Sequence, residues 1–211
     1  MGLDFGYLLF FKRSARFDVL EGLAEIADFD ITRQTALILP DQVKVLPFEG
    51  WLDTGRQIAW DDPGPKWDFM TVLRFELDEA IVDYLDRLAS YRNKQRDEGL
   101  KLDNYGRVGI GIIYLSVYFD MQAFTESAYD PDLVLFHFDT PGTTMSILFV
   151  ESKSIRQAFI ALLETCQGVY GILDKENEAE VIWFKGQEVS VTVPHAYLSL
   201  PEIEAYVMGE R

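Results

Sequence analysis

Residues 107–120 read RVGIGIIYLSVYFD, and this stretch decides the class of fold. As a strand it is apolar on both faces, one carrying Val108, Ile110, Ile112 and Tyr114 and the other Ile113, Leu115, Val117 and Phe119. A strand without a polar face has to be covered on both sides. The stretch therefore predicts an interior strand at the centre of a sheet rather than an edge strand.

The rest of the chain alternates short apolar runs with segments of helical spacing. Further strands are predicted at 6–11, 35–39, 43–46, 69–77, 133–138, 144–150, 169–173, 180–184 and 189–193. Helices are predicted to begin at Asp18, Asp78, Met121, Ser154 and Pro201. Asp18 and Ser154 each precede a Glu or Gln by three positions, which is the spacing of a capping box.

Two strand-to-helix segments of the chain are similar to each other. Residues 70–88, MTVLRFELDEAIVDYLDRL, align with residues 145–163, MSILFVESKSIRQAFIALL. The elements around each segment run strand, helix, strand, strand, helix, strand, which is the order of a ferredoxin-like unit. We therefore predict one α+β domain. It has two pseudo-repeated βαββαβ (ferredoxin-like) halves, at about 5–105 and 106–193, around a mostly antiparallel sheet. A short C-terminal helix is predicted at 201–208.

The net charge of −16 restricts the partners of this protein. A chain this acidic repels phosphate backbones and anionic lipid surfaces, so we expect binding neither to nucleic acid nor to a membrane. The charge either serves solubility alone or attracts a basic protein partner. The single cysteine, Cys166, excludes an internal disulfide, and no signal peptide or membrane-length apolar run is found, so a cytoplasmic protein is expected.

Residues 47–67 interrupt the periodic pattern and are predicted to be a loop inserted in the first half. Three of the four tryptophans, Trp51, Trp60 and Trp67, lie there together with the acidic pair Asp61 and Asp62. Long ordered loops are often functional, but indole rings also cap open ends of a core. Both interpretations remain open.

The sequence contains no motif that is typical of catalysis or cofactor binding. Its two histidines and one cysteine lack the spacing of zinc ligands, and a G-x-S-x-G nucleophile motif is absent. Asp61, Asp62 and Asp68 do not follow the pattern of a calcium loop. We therefore predict no metal and no cofactor.

One polar set does stand out at the ends of two predicted strands. Arg74 and Glu76 lie near the end of one strand, and His137 and Asp139 lie near the end of another. Arg74 and His137 each share a face with apolar neighbours on their own strand. If the two faces meet, they form a pocket with a base, a cation and two acids. Otherwise these residues form a hydrogen-bonded network or occupy unrelated positions at the rim.

We expect a non-catalytic binding protein whose acidic surface suits a basic protein partner, by analogy of charge and size with immunity proteins that neutralise toxins. The alternative is a module that binds a small aromatic, cationic or apolar ligand in an aromatic cleft between the two halves. A third hypothesis is an enzyme that uses His137 and Arg74 with nearby acids. A homodimer is compatible with each. The predicted binding residues are Trp51, Trp60, Asp61, Asp62, Trp67, Arg74, Glu76, His137 and Asp139.

Overall fold

The computed structural model describes residues 4–28, 34–51, 54–91, 101–120 and 130–210. The strands in these ranges are β1 (Gly6–Lys12), β2 (Thr35–Ile38), β3 (Val43–Leu46), β4 (Glu49–Gly50), β5 (Gln57–Ala59), β6 (Lys66–Glu76), β7 (Arg107–Tyr118), β8 (Leu133–Asp139), β9 (Tyr170–Asp174), β10 (Ala179–Phe184) and β11 (Gln187–Val193). The helices are α1 (Arg16–Ile26), α2 (Glu79–Tyr91), α3 (Thr143–Glu151), α4 (Lys153–Thr165) and α5 (Leu200–Val207), with a 3-10 turn at Arg13–Ala15.

The strands form one large sheet and one small sheet. The large sheet has the order β11-β10-β9-β1-β8-β7-β6-β4, and every neighbouring pair in it is antiparallel. The small sheet has the order β3-β2-β5. The predicted α+β fold with a mostly antiparallel sheet is therefore confirmed.

Helices cover the two faces of the large sheet unequally. The first face packs against α1, α2, α3 and α4 in one continuous apolar core, which also includes the inner face of the small sheet. The second face is covered beside β11 by α5 and the segment before it, where Leu8, Tyr170, Val181 and Ile203 are buried together. Within this smaller core the rings of Phe10 and Tyr170 are stacked, with centroids 3.9 Å apart.

β1 is buried on both faces, as are most residues of β8, β9 and β10, whereas β7 is not. All residues of β1 except its last are buried, whereas Ile112 in β7 is 45 % exposed. A register shift between β6 and β7 displaces the pairing near Gly109 and Ile112. β7 is an interior strand of the sheet, but the prediction that both of its faces are covered is wrong.

The strand predicted at 144–150 is wrong, because these residues form α3. Met145, Leu148 and Phe149 are buried with the i, i+3, i+4 spacing of a helix, but the run has too few polar residues to display that period. The segment aligned with it, 70–76, belongs to β6, and β1 lies between β8 and β9. The ferredoxin-like repeat is therefore not confirmed, and the helix predicted from Met121 lies outside the described residues.

Two helix starts also differ from the predicted ones. α1 begins at Arg16 without a side-chain cap, so the capping box predicted at Asp18 does not form. α4 is capped by Ser152, whose hydroxyl accepts from the backbone N–H of Ile155 at 3.2 Å, and not by Ser154. The predicted starts of the other two helices agree better, since Asp78 caps α2 at the backbone N–H of Ile81, 2.9 Å away, and α5 begins beside Pro201.

Residues 47–67 are not one loop. They contain β4 and the first residues of β6, which belong to the large sheet, and β5, which belongs to the small sheet. The predicted insertion therefore contributes strands to both sheets.

Candidate binding surface

A row of residues crosses five strands at the open end of the second face. Met70 of β6 lies opposite Tyr114 of β7, and Tyr114 lies opposite Asp139 of β8. Gly6 of β1 is beside Asp139 and lies opposite Asp174 of β9. Side chains that are directly opposite in an antiparallel sheet point to the same face. The row therefore leads from an apolar, aromatic end on β6 and β7 to an acidic end on β8 and β9.

Trp51 and Tyr114 form the aromatic end. Their rings are stacked, with centroids 4.7 Å apart and planes inclined by 19°. The backbone N–H of Trp51 donates to the carbonyl of Asp68 at 2.8 Å, which fixes the start of the indole side chain against β6. Trp51 is 39 % exposed and Ile112 is 45 % exposed, so this end presents apolar surface to solvent.

A paired charge lies next to the aromatic end. Asp68 is buried, accepts from the hydroxyl of Ser116 at 2.7 Å and lies 2.7 Å from the ammonium of Lys66. Burial lowers the pKa of Lys66, but hydrogen bonds to Asp68 and Tyr118 raise it more, so that its pKa is raised overall. Lys66 therefore remains charged and neutralises Asp68. We infer that the Asp68 carboxylate stabilises the structure beneath the aromatic end and does not bind a ligand itself.

Gly6 gives the acidic end its shape. A Cβ atom at Gly6 would lie 2.8 Å from Oδ1 of Asp139 and 3.2 Å from Nε2 of His137. Both side chains therefore lean over β1, where a larger residue would exclude them. Nε2 of His137 and Oδ1 of Asp139 are 3.1 Å apart. Asp174 lies across β1 from this pair, on β9.

Asp4 and Glu176 extend the acidic end beyond the strands. The backbone N–H of Asp4 donates to Oε1 of Glu176 at 2.5 Å. Burial raises the pKa of Asp4, and the charges of Asp139 and Glu176 raise it further, while His137 lowers it. The net direction is upwards, first because of burial, and the two neighbouring carboxylates add to it.

Asp174 and Tyr197 close the acidic end on the side of β9. The pKa of Asp174 is raised, first by burial and also by the charge of Asp139. A hydrogen bond from the backbone N–H of Glu176, the charge of His137 and a hydrogen bond from the hydroxyl of Tyr197 oppose this rise. Burial and the charges of Asp174 and Asp139 raise the pKa of Tyr197. Tyr197 is 40 % exposed and stacks on His195, so an accessible aromatic ring adjoins the carboxylates.

We call this region the aromatic–acidic surface; its members are Trp51, Tyr114, His137, Asp139, Asp4, Asp174, Glu176 and Tyr197. No three His, Cys, Asp or Glu side chains in the described part of the chain are arranged to hold a metal ion. Carboxylates beside exposed rings are instead the groups that bind guanidinium and ammonium, through charged hydrogen bonds and cation–π contacts.

The structure does not bring Arg74 and Glu76 together with His137 and Asp139. Arg74 lies six residues along β6 from Asp68, which is level with His137, so that roughly 20 Å separates the two positions. Arg74 pairs instead with Asp28 at 2.7 Å, which ties the end of α1 to β6. Glu76 is exposed at the far end of that strand.

Trp60 and Trp67 lie apart from the aromatic–acidic surface, in the first core. Trp67 is 3 % exposed, and Trp60 is partly buried with the guanidinium of Arg16 3.7 Å from its ring centroid. Both indoles therefore cap the core, and Trp51 is the exposed member of the three. Asp61 and Asp62 are exposed in the turn before β6.

Sequence reasoning missed several members of the surface, namely Asp4, Tyr114, Asp174, Glu176 and Tyr197. One usable signal was present: β8 (LVLFHFD) and β9 (YGILD) are both apolar strands that end in aspartate. The strand order that brings both ends beside Gly6 cannot be read from such a local pattern.

Comparison of the chain with protein-family models, curated proteins and solved structures finds no match. Among the described residues, none of the helices combines the length and apolarity needed to cross a membrane.

Proposed function

We propose that this protein is a non-catalytic binding protein that receives basic side chains of a protein partner on the aromatic–acidic surface. The observation that carries the proposal is the grouping of four carboxylates at the acidic end: Asp139 lies beside His137 and Gly6, Asp174 lies opposite Gly6, and Asp4 contacts Glu176. Like charges in such proximity are unfavourable, and a cation from a partner relieves their repulsion.

An arginine or lysine from the partner suits this surface better than a small hydrated ion. Asp139 and Asp174 flank β1 on either side of Gly6, so their carboxylates are set apart across a strand. A guanidinium has donors that can reach more than one carboxylate, and its flat face can stack on Tyr197 or Trp51. The net charge of −16 adds a long-range attraction for a basic partner.

A second candidate function uses the same surface for a small cationic or aromatic ligand. It is favoured by the exposed stack of Trp51 on Tyr114, which offers a flat apolar platform. The enzyme hypothesis gains no comparable observation, because Arg74 is paired with Asp28 and remote from His137.

Titration with oligoarginine, oligolysine and oligoglutamate peptides tests the proposal. We expect the two basic peptides to bind and the acidic one not to bind. Combining Asp139→Asn with Asp174→Asn should weaken oligoarginine binding about tenfold, equivalent to ~1.4 kcal/mol. The absence of binding to either basic peptide contradicts the proposal.

A matched control separates the surface from the general charge of the protein. Asp83→Asn with Glu164→Gln removes the same charge from exposed positions on α2 and α4, which cover the first face. We expect this variant to bind within about twofold of wild type, because exposed charges at a distance are screened. Equal losses of affinity in both variants would mean that the net charge of the protein, and not the aromatic–acidic surface, attracts the peptide. Equal binding of free arginine and oligoarginine would favour the small-ligand function.

A further inference from the structure

β11 forms the outer edge of the large sheet, and no described strand pairs with its far side. It is seven residues long, Gln187–Val193, and contains no Lys, Arg or Pro. Its one charged residue is Glu188. Proteins usually protect such edges with short strands, lysines or prolines, because unpaired backbone groups attract another strand. β11 has none of these three protections, although its pairing with β10 shifts register between Val191 and Glu188, and the guanidinium of Arg156 donates to the carbonyl of Val189 at 3.5 Å.

Apolar side chains follow the same edge. Val189 and Val191 point to the side of α5 and are only partly buried, as is Val207 at the end of that helix. Met208, the next residue, is 61 % exposed. A strand added to β11 would therefore cover this apolar strip in addition to pairing backbone groups.

We infer that β11 pairs with β11 of a second copy of this chain, antiparallel, about a two-fold axis at Ser190. The strand is self-complementary in this register, as a two-fold interface requires. The facing pairs are Val189 with Val191, Glu188 with Thr192 and Gln187 with Val193 of the second copy. Every residue of the strand is paired, the valines meet on the α5 side, and no like charges are directly opposed.

Other registers of the two β11 strands that also place side chains of the same sheet face opposite each other are less favourable. Centring the axis on Glu188 places this carboxylate opposite its own copy. Centring it on Val191 leaves Gln187 and Glu188 without opposite residues and shortens the pairing. Because register is set by side-chain complementarity along the strand, Ser190 is the preferred centre.

A site-directed disulfide tests both the dimer and its register. Opposite residues in an antiparallel pair have Cα atoms about 4.5–5.5 Å apart, which lies within the range for a disulfide. We expect Ser190→Cys to give a covalent dimer on mild oxidation, seen by non-reducing electrophoresis. The native Cys166 is buried, so the wild-type protein, oxidised in the same way, gives the background level of cross-linking.

The control is Thr192→Cys, whose two copies are roughly 14 Å apart in this register. It should not cross-link alone, but it should cross-link when mixed with the Glu188→Cys variant. Equal cross-linking of the Thr192→Cys and Ser190→Cys variants overturns the inference, and so does a wild-type chain that stays monomeric in analytical ultracentrifugation.

A charge test is independent of oxidation. Val189→Lys with Val191→Lys should convert the dimer to a monomer with unchanged circular dichroism. Val43→Lys with Val45→Lys adds the same charge on β3, where both valines are exposed at 59 % and 48 %, and should leave the dimer intact. A dimer that survives the β11 substitutions but not the β3 substitutions overturns the inference.

Discussion

Thr71 carries a buried hydroxyl for which the described residues provide no hydrogen-bond partner. It lies opposite Ile113 in the first core. A desolvated hydroxyl without a partner is unfavourable, and valine has nearly the same shape without it. We expect Thr71→Val to raise the free energy of unfolding by roughly 1 kcal/mol, measured by urea denaturation.

Thr35 provides the opposite control for the same chemical change. Its side chain is fully buried, and its hydroxyl oxygen accepts from the backbone N–H of Gly50 at 2.8 Å. Thr35→Val removes that acceptor, so we expect a loss of roughly 1–2 kcal/mol. Destabilisation by both substitutions would show that the hydroxyl of Thr71 contributes a favourable interaction.

The pKa values at the acidic end give the proposed binding a pH dependence. The pKa values of Asp4 and Asp174 are raised, mainly by burial and by neighbouring carboxylates that include Asp139. A bound cation favours the ionised forms, lowers both pKa values and releases protons. Affinity for oligoarginine should therefore fall as the pH drops through the raised pKa values of Asp4 and Asp174.

Calorimetry in buffers with different ionisation enthalpies measures these protons directly. At an acidic pH, where Asp4 and Asp174 are partly protonated in the free protein, we expect net proton release on binding, and less release when Asp139→Asn is combined with Asp174→Asn. Proton uptake, or an affinity that is constant across the acidic range, would contradict the arrangement described for the acidic end.

Single residues show why the candidate site was only partly predictable. Strand ends and tryptophan content predict His137, Asp139 and Trp51 as binding residues, and all three lie in the aromatic–acidic surface. Trp60 and Trp67 look identical to Trp51 in the sequence, yet they are packed in the core. The exposure of each indole depends on which strand lies beside it. The order of the strands in the sheet decides this, and the residues next to each tryptophan in the sequence do not.

At the scale of elements, prediction succeeded where the period was clear. The strands β1, β2, β3, β6, β9, β10 and β11 were all located from apolar runs or alternation. The run at 144–150 is mostly apolar, with only Thr144 and Ser146 as polar residues, and both a strand and a helix accept such a run; the sequence therefore predicts a strand where α3 forms. The pairing of β1 with β8 and β9 joins residues far apart in the chain, and no short pattern encodes it.

One carboxylate, Glu180, joins three elements and should contribute to stability. It lies 2.8 Å from Arg156 of α4 and 3.0 Å from Lys175, and it accepts from Ser190 of β11 at 2.9 Å. Burial alone would raise the pKa of Glu180, but these hydrogen bonds lower it from 4.5 to about 2. Since the folded pKa is the lower one, the stabilisation is present above the ordinary pKa and is lost as the pH falls towards the folded value.

We expect Glu180→Gln to lower the free energy of unfolding at neutral pH by about 1–2 kcal/mol, allowing for solvent screening. Urea unfolding at several pH values should show the difference from wild type shrinking in acid. Glu178→Gln removes the same charge from an exposed position two residues away and should have little effect. A Glu180→Gln deficit that does not change with pH would assign the loss to packing instead.

The charge of the whole molecule affects the two proposed associations in opposite ways. With a net charge of −16, two copies of the chain repel each other, whereas a basic partner is attracted. Salt screens both effects over a Debye length of about 10 Å at 0.1 M. Added salt should therefore weaken oligoarginine binding and strengthen the β11 dimer, measured by calorimetry and by analytical ultracentrifugation on the same preparation. If salt weakens the dimer as well, charge attraction holds the two copies together, and the apolar, hydrogen-bonded edge of β11 is not their interface.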